Sequence, residues 1–428
     1  MGIVNTFKNI KITRIITDIK VIAYINFFLL SFFVFLGTEI PFQERFKDAY
    51  EAETTNIINQ VVYISLFFSS LYVSFQIYIK LFYLVRKEKL LSFFIFLCLI
   101  SFIWSDYPLI SFKRSFQLIV TFLTIINSVI LNDEKLLVKL LIIVSTIYLI
   151  INYFSGIFIA QAIDPSFGTW RGIELHKNLL GYSSLIISII AIWRIIKHKS
   201  RYSEYFGFFL LFLSIGLIIL SYSTTNILAI SSTMLIFLLS KIKAIFKLLG
   251  IKKFIFNFLI ISIIILSLIL SIYSKELIAS IPAIFGKDAS LTGRDIIWVY
   301  IWNEIQKRPI LGYGYGTYWI MGTHIIDLFT AFVGWRVNEA HNGFLEIALQ
   351  LGITGFSVFI LTYFSFIIKA LKQDDVISLI AISAITLVNF SESFIFTPRD
   401  PSTLLFILLY LKLVFKNSHL DKKVFYEY

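Results

Sequence analysis

The chain has a single cysteine in 428 residues, Cys98, and it lies inside an apolar run. Neither an intramolecular disulfide framework nor a thiol-rich metal site can be built from it. Charge is sparse too: 15% of the residues are Asp, Glu, Lys or Arg, against 58% hydrophobic and 17% aromatic. A soluble core cannot hide that much apolar surface, and runs long enough to cross a bilayer recur throughout. Low-complexity tracts, linkers and internal repeats are missing, which predicts one membrane domain over 1–428. The N-terminal stretch lacks a short apolar segment with a small-residue cleavage site. Its first apolar run, preceded by Lys8, Lys11, Arg14 and Lys20, is expected to stay as an anchor.

What is present reads as an all-α, polytopic integral membrane protein of about twelve transmembrane helices. They are expected over roughly 21–37, 61–83, 90–104, 115–131, 136–159, 179–196, 204–221, 224–240, 253–273, 343–368, 376–393 and 402–415. Lys and Arg outnumber Asp and Glu by 38 to 26, but the excess sits in short clusters between apolar runs, which disfavours nucleic acid as a partner. With the N-terminus in the cytoplasm, every strong basic cluster falls on one side. These are Arg86/Lys87/Lys89, Arg194/Lys197/Lys199/Arg201, Lys241/Lys243/Lys247/Lys252/Lys253, Lys369/Lys372 and the tail Lys416/Lys422/Lys423. Both termini are therefore expected in the cytoplasm.

The same partition places the unusual polar sequence on the external face. It includes Arg171, His176, Lys177 and Asn178 in GTWRGIELHKNLLG, the hairpin Ser221–Asn226, Arg294, His341 and Arg399. Ionisable residues within the apolar runs are few and lie near their ends, unlike the midplane groups of ion-driven transporters. A site at the outer boundary follows. The external acidic stretch with Glu39, Glu44, Asp48, Glu51 and Glu53 reads as a solvated loop, although carboxylates of this kind also ligate divalent ions.

The largest polar insertion is the expected external loop 274–342. In it, Thr292 followed by Asp295 fits a capping box, and Pro309 limits the other end, which predicts a helix over about 293–307. Arg294, Trp298 and Trp302 recur at four-residue spacing and share a face, so this helix is amphipathic. It either anchors at the membrane surface with a solvated arginine or presents a cation to a lipid phosphate. Gly312-Tyr313-Gly314-Tyr315-Gly316 follows no strand and lacks the lysine and hydroxyl of a phosphate loop. It reads as a tight turn whose aromatics form a belt or a platform for sugar rings. His341-Asn342 stands at the outer end of an apolar run in which Asn342, Glu346 and Gln350 share a stripe expected to face the bundle interior, with Gly352 and Gly355 admitting a neighbouring helix. On residue type alone His341 is either an interfacial polar group or an acid–base catalyst.

His341-Asn342, nine residues, Gly352, two residues and Gly355 resemble the signature of the O-antigen ligase and O-antigen polymerase superfamily. WSDYPLISFKRSFQL (Trp104–Leu118), RGIELHKNLLG, the Ser221-Tyr-Ser223-Thr hairpin, LTGRDIIW and RPILGYGYGTYW resemble its exopolysaccharide-polymerase branch. The resemblance implies a C-type glycosyl-transferring enzyme of the bacterial cytoplasmic membrane that needs neither metal nor cofactor and acts at the external face. Its donor would be a polyprenyl-diphosphate-linked glycan and its acceptor another glycan. Membrane lipid, a chain-length regulator and a flippase would be the further partners. Arg171 and Arg294 would hold the developing diphosphate charge, and His341 would take the proton from the acceptor hydroxyl or orient it. His176, Lys177, Asn342, Glu339, Arg399, Trp298 and Tyr315 would line the substrate, with Asn342 or Glu339 orienting the imidazole. A polymerase is expected first, a ligase transferring the glycan to a lipid A core second, and a lipid-linked glycan transporter or flippase last.

Overall fold

The computed structural model describes residues 2–37, 56–164, 168–197, 200–248, 294–320 and 337–417, with residues 262, 265, 266 and 327 besides. The acidic stretch 39–53 and most of the span expected over 253–273 therefore lie outside the described residues. Among the described residues, thirteen α-helices carry the fold. They are α1 Gly2–Leu36, α2 Ile57–Gln76, α3 Tyr78–Lys87, α4 Lys89–Ile100, α5 Pro108–Leu131, α6 Glu134–Phe158 and α7 Lys177–Lys197. The remainder are α8 Arg201–Leu220, α9 Thr224–Leu248, α10 Arg294–Lys307, α11 Gly343–Lys372, α12 Val376–Asn389 and α13 Pro401–Asn417. No β-strand occurs among the described residues, only the isolated bridge between Ile163 and Trp170. Among the described residues, eight helices are long and apolar enough to cross a membrane, and α12 and the stretch Lys89–Ile103 are shorter apolar helices. The chain is an all-α, polytopic membrane protein.

The span expected over 61–83 is two helices. At Ile77 (φ −116°, ψ 21°) the backbone leaves the helical region, and the segment turns from apolar α2 to α3, which ends on Arg86 and Lys87. The span expected to reach 393 ends at Asn389, and residues 390–400 continue as an irregular turn that is mostly buried. At 14 residues, α12 covers only about 21 Å, less than a bilayer core. Its surroundings compensate: nearly every residue of α12 and α13 is covered by neighbouring helices, and irregular backbone at membrane depth is tolerated where protein surrounds it.

Polar side chains join the outer helices of the bundle. Asn26 of α1, Ser69, Ser70 and Ser74 of α2, and Thr124, Asn127 and Ser128 of α5 form one hydrogen-bonded seam, with Ser70 to Thr124 at 2.9 Å and Ser74 to Asn127 at 3.1 Å. In hydrocarbon such bonds replace the hydrophobic drive that lipid cannot supply. One end of the bundle is clamped by ion pairs: Lys412 on Asp375 (3.0 Å) and Glu134 (3.8 Å), Lys197 on Glu134 (3.3 Å), and Lys369 on Glu88 (3.3 Å). The candidate site lies at the other end.

Within α11 the helix breaks at Gly352 (φ 59°, ψ −165°). The segment 309–314 lies along the break and supplies the lost hydrogen bonds. Tyr313 N–H donates to Leu349 O (3.1 Å) and Gly314 N–H to Gln350 O (2.8 Å), while Ile353 and Thr354 donate to Pro309 O (2.8 Å) and Ile310 O (3.2 Å). A Cβ at Gly352 would stand 2.4 Å from the Ile310 backbone, and one at Gly312 would stand 2.6 Å from Gln350. Gly352 thus admits a loop where a helix was expected, because two backbones can exchange bonds only at this separation. The segment is held in turn by the stretch before α5. Trp104 donates to Leu311 O (2.9 Å), Ser105 bonds Thr317 (2.9 Å), and Arg308 pairs with Asp106 (3.0 Å).

Candidate functional site

The site grows from the start of α11. Asn342 is its N-cap, and its side-chain oxygen accepts from Phe344 N–H (3.0 Å) and Leu345 N–H (3.1 Å). One residue earlier His341 sits in the left-handed region (φ 48°), a conformation that non-glycine residues rarely hold without surrounding support. This twist turns the imidazole toward two carboxylates. Nδ1 of His341 lies 3.1 Å from Glu339 Oε1 and 3.2 Å from Glu392 Oε2.

Glu392, in the turn after α12, is the centre of the cluster. Its Oε1 accepts from Arg294 Nη2 (2.8 Å) and Asn178 Nδ2 (2.9 Å), and its side chain is only 2% exposed. His176 lies close enough for its charge to act on the same carboxyl. The adjoining Ser393 ties the turn to the α11 start: its Oγ accepts from Asn342 N–H (3.0 Å), and its N–H donates to Glu339 Oε2 (3.3 Å). The hairpin before α9 closes one flank, where Ser391 bonds Thr225 (3.0 Å) and Asn226 donates to Asn178 O (3.1 Å). Four distant stretches of chain thus converge on one buried acid.

Electrostatics follow from that packing. Burial pulls the His341 pKa down, but hydrogen bonds and charge from Glu339 and Glu392 outweigh it and raise it to about 9. The imidazole is therefore protonated at neutral pH. Burial pushes Glu392 up, yet His341 and Arg294 overcome this and hold the carboxyl at about 2. Glu339 is raised above the usual carboxylate value by burial, which outweighs the hydrogen bond and charge of His341. Two carboxylates and two cations leave the cluster close to neutral. Glu339, His341 and Glu392 bring three ligand-type atoms within 4.8 Å of one another, a spacing that could hold a metal ion. Arg294 on Glu392 and the proton on His341 already fill the cationic role there, so the donor set suits its own counter-charges better than a metal.

The other candidate residues fall in different places. Arg171 braces its own loop, with Nε on Gln161 O (2.7 Å) and Nη1 on Leu175 O (3.3 Å). Lys177 begins α7 between His176 and Asn178. Trp298 is partly buried: its indole N–H donates to Ala340 O (3.1 Å), and Ile297 and Ile301 beside it are fully buried against Tyr318, Trp319 and Leu349. The face shared by Arg294 and Trp298 packs inward, and Trp302 alone of the three is exposed. Tyr315 is neither belt nor platform. It is buried, its N–H bonds Ser101 Oγ (2.9 Å), and its hydroxyl donates to Phe396 O. Arg399 sits in a left-handed turn (φ 66°) with its charge toward Tyr63 of α2. The polar stripe of α11 does face inward: buried Glu346 accepts from Ala340 N–H (2.9 Å), from Trp319 (2.9 Å) and from Gln350 (2.6 Å).

Sequence reasoning missed Glu392. Its signal is an acid in NFSESF at the end of an apolar run, with partners 51, 98 and 214 positions away. Residues 209–360 match the family model described as O-antigen ligase, a stretch that contains Arg294, Glu339, His341 and Gly352. Over 97 residues, 21% of this chain, the sequence is 32% identical to the exopolysaccharide production protein ExoQ of Rhizobium meliloti, and the alignment spans 22% of that protein. Both matches, like the motifs already described, are similarities to the O-antigen ligase and exopolysaccharide-production proteins, and they cover about a third and a fifth of the chain respectively.

Proposed function

We propose that this protein is a polymerase that joins polyprenyl-diphosphate-linked oligosaccharide repeat units at the external face of the bacterial cytoplasmic membrane. The observation that carries the reading is the convergence of Arg294, Glu339, His341 and Glu392 at the bundle end opposite the lysine-rich ion pairs. A lipid diphosphate is already an activated leaving group, so the protein has to stabilise its developing charge and remove one proton from the acceptor. Arg294 suits the first task, since Glu392 occupies one of its N–H donors and a guanidinium has five. Arg171, Lys177 and His176 add positive charge on the same side.

Glu339 suits the second task. It is the less buried of the two acids, 17% against 2% exposed, and its raised pKa makes it the better proton acceptor. The acceptor hydroxyl gives its proton to Glu339 as its oxygen bonds the anomeric carbon. The bond from that carbon to the phosphate oxygen breaks, and the electron pair leaves on the diphosphate. His341, protonated at neutral pH, holds Glu339 in place and offsets its charge, whereas the sequence resemblance implies that it takes the proton from the acceptor hydroxyl or orients it. The polymerase is favoured over the ligase by the RGIELHKN, WSDYPL and RPILGYGYGTYW blocks and by the likeness to an exopolysaccharide production protein.

The test is glycan profiling in a strain lacking the protein, complemented with wild type, Arg294→Ala, Glu339→Gln or His341→Ala at matched membrane levels. Single repeat units that stay on the lipid carrier, rescued by wild type alone, support the polymerase. Long chains that persist on the carrier without reaching a terminal acceptor support a ligase instead. Full rescue by all three variants refutes the site.

A further inference from the structure

We propose that Glu392 is a positioning residue that couples the donor-phosphate arginine to the acceptor-activating pair, so that Arg294 and the Glu339–His341 pair work as one unit. This rests on the polymerase reading above and adds to it a residue that lies outside the 209–360 match.

The argument is geometric. Each oxygen of Glu392 serves a different half of the reaction: Oε1 accepts from Arg294 (2.8 Å) and Asn178 (2.9 Å), and Oε2 faces His341 Nδ1 (3.2 Å). A carboxylate is a rigid planar fork, so fixing one oxygen on the guanidinium fixes where the other meets the imidazole. The acid is itself locked from below. Phe394 and Ile395 N–H both donate to Asn389 Oδ1 (3.0 and 2.8 Å), and Ser393 holds the start of α11. Asn389 also lines the approach to Gly343, where an added Cβ would stand 2.4 Å from its Oδ1. The turn 390–395 and the start of α11 therefore keep a fixed relation, and Glu392 carries it to α10 and α7.

Glu392 is a poor choice for direct chemistry. It is 2% exposed and bound to Arg294, whereas Glu339, whose oxygens meet His341 and Ser393 N–H, is 17% exposed. Its effect is exerted through others. An incoming diphosphate shares Arg294 with Glu392 and draws positive charge off the carboxylate. The carboxylate then leans more on His341, and His341 less on Glu339. Proton removal from the acceptor is in this way favoured once the donor is in place.

The test uses full-length protein in lipid vesicles, with the lipid-linked repeat unit extracted from the deletion strain as substrate. Glu392→Gln preserves shape and an acceptor oxygen while removing the charge. The expected result is turnover lower by about 100-fold, with membrane level and thermal stability retained within the range of other point variants. The alkaline limb of the pH–rate profile, set by His341, moves to lower pH because one of its two carboxylates is gone. A purely structural role would lower the active fraction and leave that limb in place. Glu392→Asp restores part of the turnover and returns the limb toward wild type. If Glu392→Gln shows wild-type turnover and an unmoved limb while Glu339→Gln and His341→Ala are inactive, the coupling is wrong and the polymerase site stands. If Glu339→Gln and His341→Ala also polymerise normally, the site itself is wrong.

Discussion

At the scale of single residues, the titration of the site is a statement about stability as well as chemistry. His341 has its folded pKa raised from 6.5 to about 9. Its contribution to stability is therefore full below pH 6.5 and is lost as pH rises through about 9. Glu392 runs the other way: lowered from 4.5 to about 2, it stabilises above pH 4.5, and that contribution is lost as pH falls through about 2. Glu339, raised by burial, offsets part of the gain once it ionises. Thermal unfolding in detergent should show wild type losing stability between pH 6.5 and 9.5 by more than His341→Gln does. Parallel curves for the two proteins would mean that the imidazole is not held by the carboxylates. Arg294 and His341 stood out in the sequence because motifs that resemble those of the O-antigen ligase and polymerase superfamily surround them. Glu392 did not, since pairing with residues 51 to 214 positions away is a product of helix packing and leaves no local spacing to read. Tyr315 was misjudged for the converse reason: an aromatic in a glycine-rich turn looks exposed until the segment before α5 covers it.

At the scale of elements, the glycines separate by what stands next to them. The segment 309–316 and the break in α11 form one backbone joint, and both sides of it need residues without side chains. Gly352 combines φ 59° with backbone atoms 2.4 Å from a would-be Cβ, and neither can be relieved by rotating a side chain. Gly352→Ala should cost about 4 kcal/mol or prevent accumulation of folded protein. Gly168 is the control: its φ is 64°, but nothing lies within 4 Å, so Gly168→Ala should cost only about 1–2 kcal/mol. Protein level and melting temperature in detergent measure both, and equal effects would mean that backbone contact at Gly352 adds nothing to the conformational strain. The spans and the inward stripe of α11 were readable from apolar runs and four-residue spacing. The joint was not, because a glycine that admits a helix and one that admits a loop look alike in sequence.

At the scale of the whole molecule, the two ends of the bundle differ in kind. One end carries Arg294, His341, Asn178 and Glu392, gathered from four segments. The other carries Glu88, Glu134, Lys197, Lys369, Asp375 and Lys412 in ion pairs and lies next to the expected cytoplasmic clusters. The excess of Lys and Arg on one side sets orientation during insertion, so the site end should face outward. Single-cysteine labelling tests this cleanly, because the native Cys98 is fully buried. With Asn338→Cys near the site and Lys372→Cys at the far end, both exposed positions, a membrane-impermeant maleimide should label only the first in intact cells. Lys372→Cys should react once the membrane is opened. The reverse pattern would put Arg294 and Glu339 in the cytoplasm, and a polymerase drawing on externally presented lipid-linked units could not then use them.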